Sequence, residues 1–270
     1  MIKLSLTAVV LASLVHGSVI AAPIAHWTFD EGSGSIAGDS SGSSLDHTLS
    51  ISGPTSWSAS GRFGGAINTG LGSNLEMLAD TVDLGAAWTI SGWFRNYHAT
   101  ADWNTLTRGS FASGGDHQIV GENISEHLGV FDNTNHGMVA ATPTFDFDSL
   151  AADVWHHIAA VGTGGSTAYY VNGAHVGTAA YQSTTDVQWI GGVISLQTFA
   201  ESLDEISIWD EALTAGQILS LQTLTADSLG DAPTVWAPGT LTLVGLGIGL
   251  VGARRRSRRV RNTALDQTPS

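Results

Sequence analysis

The side chains able to do chemistry in this chain are aromatic, acidic and imidazole groups: nine tryptophans, 24 acids and ten histidines among 270 residues, with no cysteine. The missing cysteine excludes a thiol nucleophile, a disulfide scaffold, a zinc ribbon and an iron–sulfur site together. Tryptophan faces stack on sugar rings, giving large contact area beside a polar edge. Trp27, Trp88, Trp155 and Trp209 fall in hydrophobic runs and are expected in a core. Trp57 and Trp103 stand in polar, loop-like surroundings, so they are the candidate ligand-binding residues, set against the plainer expectation that they pack beneath loops.

The acids and histidines offer less. Glu122 and Glu126 are four apart, a helical spacing, but Ile119–Phe131 reads as strand and turn. Asp132-Asn-Thr-Asn-His-Gly137 alternates oxygen donors as a calcium loop does, yet lacks the closing bidentate Glu, so a turn is expected. Asp146 and Asp148 would share one face of an extended, solvated edge. His156 and His157 are adjacent on a predicted strand, so they point to opposite faces and cannot share an ion. With no His-Glu-x-x-His, no zinc protease site is present; Gly38-Asp-Ser-Ser-Gly42 matches Gly-x-Ser-x-Gly in letters but falls in a Gly- and Ser-rich stretch that reads as a loop, not on the strand-to-helix turn of a hydrolase elbow.

Charge narrows the partners. The net charge is −14, but Lys3 and six arginines (Arg254, Arg255, Arg256, Arg258, Arg259 and Arg261) lie at the two ends. Arg62, Arg95 and Arg108 alone stand against 23 acids between them, a net −20. Such a surface repels phosphate backbones and excludes nucleic acid as a partner. It favours divalent cations that prefer oxygen donors, calcium above all.

The ends read as addresses. Residues 1–22 run from Lys3 through an apolar stretch to Ala21 and Ala22, the layout of a secretory signal peptide. Val235 to Ala253 is almost wholly apolar and is followed by the arginines; nineteen residues at ~1.5 Å each just cross a bilayer core. A hydrophobic C-terminal anchor helix over 235–261, with its arginines on the cytoplasmic side, would hold the globule outside the cell. Residues 223–234 read as a linker and 262–270 as a disordered tail.

Between them, residues 23–222 alternate short hydrophobic runs with Gly, Ser, Asn, Asp and Thr clusters. Predicted strands are Ile24–Phe29, Trp88–Arg95, His117–Val120, Leu128–Phe131, Trp155–Val161, Ala168–Val171, Val187–Ile190 and Leu203–Trp209. Asn172-Gly173 suits a type I′ hairpin turn. Alternation in the last strand puts Asp204, Ile206 and Ile208 on one face and Leu203, Glu205, Ser207 and Trp209 on the other. One helix is signalled: Thr214 and Gln217 form a capping box, Leu213 can pack on Ile218, and the run ends at Leu221. Gly32–Ser44 reads as a loop.

Seven motifs in order resemble the LamG-like jelly-roll domain of the concanavalin A-like lectin/glucanase superfamily. They are His26-Trp-Thr-Phe-Asp-Glu-Gly-Ser-Gly34, Asp39-Ser-Ser-Gly42, Arg62-Phe-Gly-Gly-Ala-Ile67, Trp88-Thr-Ile-Ser-Gly-Trp-Phe94, Val154-Trp-His-His-Ile-Ala-Ala-Val161, Tyr170-Val-Asn-Gly173 and Leu203-Asp-Glu-Ile-Ser-Ile-Trp-Asp-Glu-Ala-Leu213. The resemblance implies an all-β, two-sheet antiparallel β-sandwich of about a dozen strands, with one curved, concave face and one short C-terminal helix. It also implies a structural calcium ion held by Asp204, Asp30 and the Gly64 carbonyl, against the alternative that Asp204 simply accepts backbone N–H bonds. The glucanases of this superfamily use a Glu-x-Asp-x-x-Glu strand; Glu201-Ser-Leu-Asp204-Glu205 has the wrong spacing. The tail resembles the bacterial PEP-CTERM sorting signal, with Trp236-Ala237-Pro238 in place of Pro-Glu-Pro, and implies exosortase-type sorting machinery as a partner.

The function expected is an exported, cell-surface or extracellular, non-catalytic binding or adhesion module for a glycan or matrix polymer. The alternatives are a glycan-cleaving enzyme of glucanase or lyase type, and a purely structural surface protein.

Overall fold

Runs of three or four apolar or β-branched residues, cut by turns, are long enough to pair and too short to stand alone, so they close on one another as sheets. In the computed structural model the described residues are 22–100, 102–192 and 197–229. The expected signal peptide (bar Ala22), anchor, arginine cluster and tail lie outside them. Among the described residues no helix is long and apolar enough to cross a membrane.

The strands are β1 (Ala25–Trp27), β2 (Ile36–Ala37), β3 (Leu49–Ser52), β4 (Thr55–Ser58), β5 (Ala66–Thr69), β6 (Asn74–Met77), β7 (Val82–Asp83), β8 (Ala87–Tyr97), β9 (Asn104–Arg108), β10 (His117–Gly121), β11 (Leu128–Asp132), β12 (Gly137–Ala140), β13 (Trp155–Thr163), β14 (Ser166–Val171), β15 (Ala174–Ala179), β16 (Asp186–Val187), β17 (Trp189–Ile190) and β18 (Ala200–Trp209). Helices α1 (Ala215–Ser220) and α2 (Ala226–Leu229) follow. One eight-stranded sheet runs β15-β14-β13-β8-β18-β5-β4, with β1 also on β18; the other runs β12-β11-β10-β9-β17-β6-β3-β2. A two-stranded ribbon joins β16 to β7. All the paired strands are antiparallel. The main core, which includes Trp27, Trp88, Ile90, Phe94, Leu106, Ile119, Val130 and Ile206, lies between the two large sheets.

All eight predicted strands form. The run Val187–Ile190 breaks at Gln188, so its halves join different sheets. Among the described residues eighteen strands stand where about a dozen were expected, because two- to four-residue strands such as β2 to β7 carry too few apolar residues to show a period. One of them, β2, lies inside the expected Gly32–Ser44 loop. Asn172 and Gly173 take φ of 49° and 77°, as the I′ turn between β14 and β15 requires.

The alternation expected in β18 fails at its centre. The register against β8 shifts between Asp204 and Ser207, and Glu205 has φ 49°. This bulge puts Leu203, Ile206 and Ile208 together in the main core. Trp209 joins a second core, beneath α1, with Ala159, Leu213 and Ile218. The strand is thus covered on both faces.

The capping box of α1 is complete: the Thr214 N–H donates to Gln217 Oε1 (2.5 Å) and the Gln217 N–H to Thr214 Oγ1 (3.3 Å). Residues 223–229 are not the open linker expected. They continue into α2, whose Ala226 and Leu229 are buried in the second core. There Asp227 Oδ1 lies 3.2 Å from His26 Nδ1, and Glu205 Oε2 lies 3.0 Å from His26 Nε2. Burial alone would lower the His26 pKa; these two carboxylates outweigh it and raise it.

Candidate functional site

The three expected calcium residues meet on one loop, Gly61–Gly65. Asp204, fully buried on β18, accepts at Oδ2 from the backbone N–H of Arg62 (2.6 Å) and Phe63 (2.9 Å). Its Oδ1 is buried without a hydrogen-bond partner. Burial pushes this carboxyl up to about 7, Glu205 adds to the push, and the backbone donors only partly oppose it. Asp30 is exposed and accepts the Gly65 N–H at Oδ1. The Gly64 carbonyl accepts the Gly61 N–H (2.9 Å). A Cβ at Gly64 would sit 2.3 Å from Asp30 Oδ1, which is why glycine stands there.

Both readings of Asp204 therefore have a footing: one oxygen caps backbone donors, and the other is an orphan that a hard cation would satisfy. Among the described residues no group of three His, Cys, Asp or Glu side chains could hold a metal ion. An ion on Asp204 Oδ1 would draw its remaining oxygens from Asp30, backbone carbonyls such as that of Gly64, and water.

The two candidate tryptophans lie apart, Trp57 on one large sheet and Trp103 just before a strand of the other. Trp57 is not in a loop: it is half-buried on edge strand β4, with Nε1 donating to the Gly34 carbonyl (2.8 Å). It lines a groove of about 410 Å³ with Asp30, Gly32 and Gly65. A proposed metal ligand and a proposed stacking residue thus share one cleft.

Trp103 immediately precedes β9 and is half-buried, its ring edge-to-face with Phe131 at 4.7 Å. Strand register explains its surroundings. Directly opposed residues point to the same side of a sheet, and Phe131, His117, Arg108, Trp189 and Glu76 oppose one another in turn across β11, β10, β9, β17 and β6. The adjacent residues Val130, Ile190 and Leu75 face the core, so this row faces outward. Simple alternation would put Arg108 on the side of Leu106, which is in the core; the register shifts between β9 and β10 turn it out. Trp103, Arg108, His117, Phe131, Asn133 and Gln197 line a groove of about 240 Å³.

Polar groups in this groove are set rather than loose. His117 Nδ1 lies 2.7 Å from the Thr105 hydroxyl. Burial, helped by the Arg108 charge, lowers the His117 pKa to about 3, so the ring is neutral. Gln197 Oε1 is buried and without a partner. Arg108 is only 8% exposed; its Nε donates to the Gly115 carbonyl (3.2 Å) and its guanidinium stacks on Phe111, 4.6 Å from the ring centre. Sequence reasoning missed Arg108, His117, Asn133 and Gln197. The available signal was the scarcity of arginine in the chain's acidic middle.

The remaining acids are absorbed locally. Asp132 caps its own turn, accepting from the N–H of Thr134 (2.7 Å) and His136 (3.0 Å). Asp146 caps a short 3₁₀ turn by accepting the Asp148 N–H (2.9 Å). Glu122 and Glu126 lie in the tight turn between β10 and β11, where the Glu126 N–H donates to the Glu122 carbonyl (2.8 Å). His156 packs near Phe94 and His157 near Trp93, on opposite sides of β13. The grooves at Trp57 and Trp103 and two more, beside Phe147 and beside Ser207, each hold at most one carboxylate.

Known proteins agree with this architecture. Domain 4 of AbnA, an extracellular GH43 arabinanase from Geobacillus stearothermophilus solved with arabinotriose, is 19% identical, with 75% of this chain and 98% of that one covered and a TM-score of 0.54. The receptor-binding domain of botulinum neurotoxin mosaic serotype C/D is 12% identical, covering 76% of this chain and 51% of that one, TM-score 0.56. The binding domain of Paraclostridial Mosquitocidal Protein 1 is 13% identical, covering 74% and 52%, TM-score 0.51. At such identities the likeness shows the fold. No relative of this chain is found among curated proteins. The model of the concanavalin A-like lectin/glucanases superfamily matches residues 69–219, more than half of the sequence, and the chain belongs to that superfamily.

Proposed function

We propose that this chain is an exported, non-catalytic glycan-binding module, held at or released from the cell surface. The observation that carries it is the Trp103 groove: an aromatic pair beside an oriented guanidinium that makes no ion pair among the described residues. Sugars present that combination of apolar ring face and hydroxyl edge. Superfamily membership supports the reading, as does the arabinotriose complex of the AbnA domain. The absence of a carboxylate pair in these grooves favours binding over glycosidic cleavage, which needs two flanking acids. The Trp57 groove, with Asp30 to accept a hydroxyl, is the second subsite. Calcium on Asp204 would brace the Gly61–Gly65 loop beside it. Export rests on residues 1–22, and surface retention on residues 235–261 with exosortase-type sorting.

A polysaccharide array probed with the full chain and with Trp103→Ala tests the binding. At least one glycan is expected to bind, and the variant to bind it tenfold or more weakly, about 1.4 kcal/mol. Equal binding by both proteins overturns the assignment of the site. Appearance of new reducing ends on the bound glycan overturns the non-catalytic reading.

A further inference from the structure

Arg108 is placed unlike a surface arginine. It is more than nine-tenths buried in a chain whose middle has three arginines for 23 acids. Among the described residues the carboxylates in ion pairs go to histidines, and Arg108 has none. Its Nε is held by the Gly115 carbonyl and its plane by Phe111, so the fork is fixed in orientation while its terminal nitrogens keep donors for a ligand. The groove it enters is lined by Trp103, His117, Phe131, Asn133 and Gln197, with no carboxylate. A desolvated, oriented guanidinium with no anion is costly unless one arrives.

We infer that the Trp103 groove selects an acidic sugar, its carboxylate on the Arg108 fork and its ring on Trp103. This rests on the glycan-binding reading and names the class of glycan. A carboxylate suits the planar fork bidentately. The strongly negative body repels dense polyanions at long range, so the groove is suited to one acidic residue read at contact, not to a charged chain read by attraction.

The test uses the full chain and calorimetry at about 150 mM salt, where long-range charge effects are largely screened. The probes are oligomers of galacturonate, glucuronate and mannuronate, each beside its methyl ester. At least one acid is expected to bind ten times or more tighter than its ester. Arg108→Gln should bring that ratio to within twofold; Trp103→Ala should weaken acid and ester alike. The comparison of acid with ester in the unaltered protein decides the matter even if Arg108→Gln fails to fold. Equal binding of acid and ester overturns the inference and leaves glycan binding standing. Displacement by dextran sulfate as effective as by the uronate also overturns it, since attraction would then be generic. Failure of all six sugars, with no binder on the wider array, removes both readings.

Discussion

Asp204 has its two oxygens in unlike surroundings, one taking two backbone N–H groups and the other taking nothing. Its pKa in the fold, about 7, lies above the ordinary aspartate value of roughly 4, so the native state binds this proton more tightly than the unfolded chain. The stability it contributes is full below about pH 4 and is lost as pH rises through 7, by a few kcal/mol in all. Asp204→Asn cannot ionise, so its stability relative to the unaltered protein should grow between pH 4 and 8 in denaturant titrations. A difference independent of pH would show that the carboxyl ionises freely. Calcium and the proton compete for the same oxygen. Millimolar calcium should therefore raise Tm at pH 8 and do little at pH 5; a Tm unmoved by calcium or chelator at pH 8 removes the metal.

At the next scale, the close passage of β13 over Trp88 sets a sharp test. A Cβ at Gly162 would lie 2.2 Å from the Trp88 ring, which is fully buried and bonded through Nε1 to the Ser183 carbonyl (2.7 Å). Gly162→Ala should cost about 1–3 kcal/mol by overpacking, read as a lower Tm with the fold retained; no loss would mean the strands separate easily. The elements most legible in the sequence are those whose contacts lie within a few residues. The box of Thr214 and Gln217 and the Asn172-Gly173 turn formed as read, because each is closed by local hydrogen bonds or local φ. What escaped depends on partners far along the chain. Arg108 faces outward only through a register shift against β10, and the phase of β18 is reset only at Glu205. Edge strand β4, Thr55-Ser-Trp-Ser58, has one large apolar residue and no period to reveal it. The candidate residues Trp57 and Asp30 were named for separate roles, and only the fold puts them in one cleft.

Taken as one body, the domain carries its negative charge with little internal neutralisation. Each arginine in its middle lies over a ring: Arg62 is 4.4 Å from the Trp93 ring centre, Arg95 5.2 Å from that of Trp155, and Arg108 4.6 Å from that of Phe111. Unrelieved repulsion of this kind weakens the compact state and is screened by salt. Tm should rise between 10 and 200 mM sodium chloride; a fall would mean that attractive pairs dominate instead. Strand β1 lies along β18, with the Ile24 N–H on the Ile208 carbonyl (2.7 Å), and His26 reaches Asp227 in α2. The domain's opening and closing segments are therefore sewn to each other as well as to the rest. The order in which the polypeptide visits its layers is then separable from the layers themselves. A circular permutant, with a short glycine bridge from residue 229 back to residue 23 and new ends at the exposed Gly164-Gly165 bend, should still fold cooperatively.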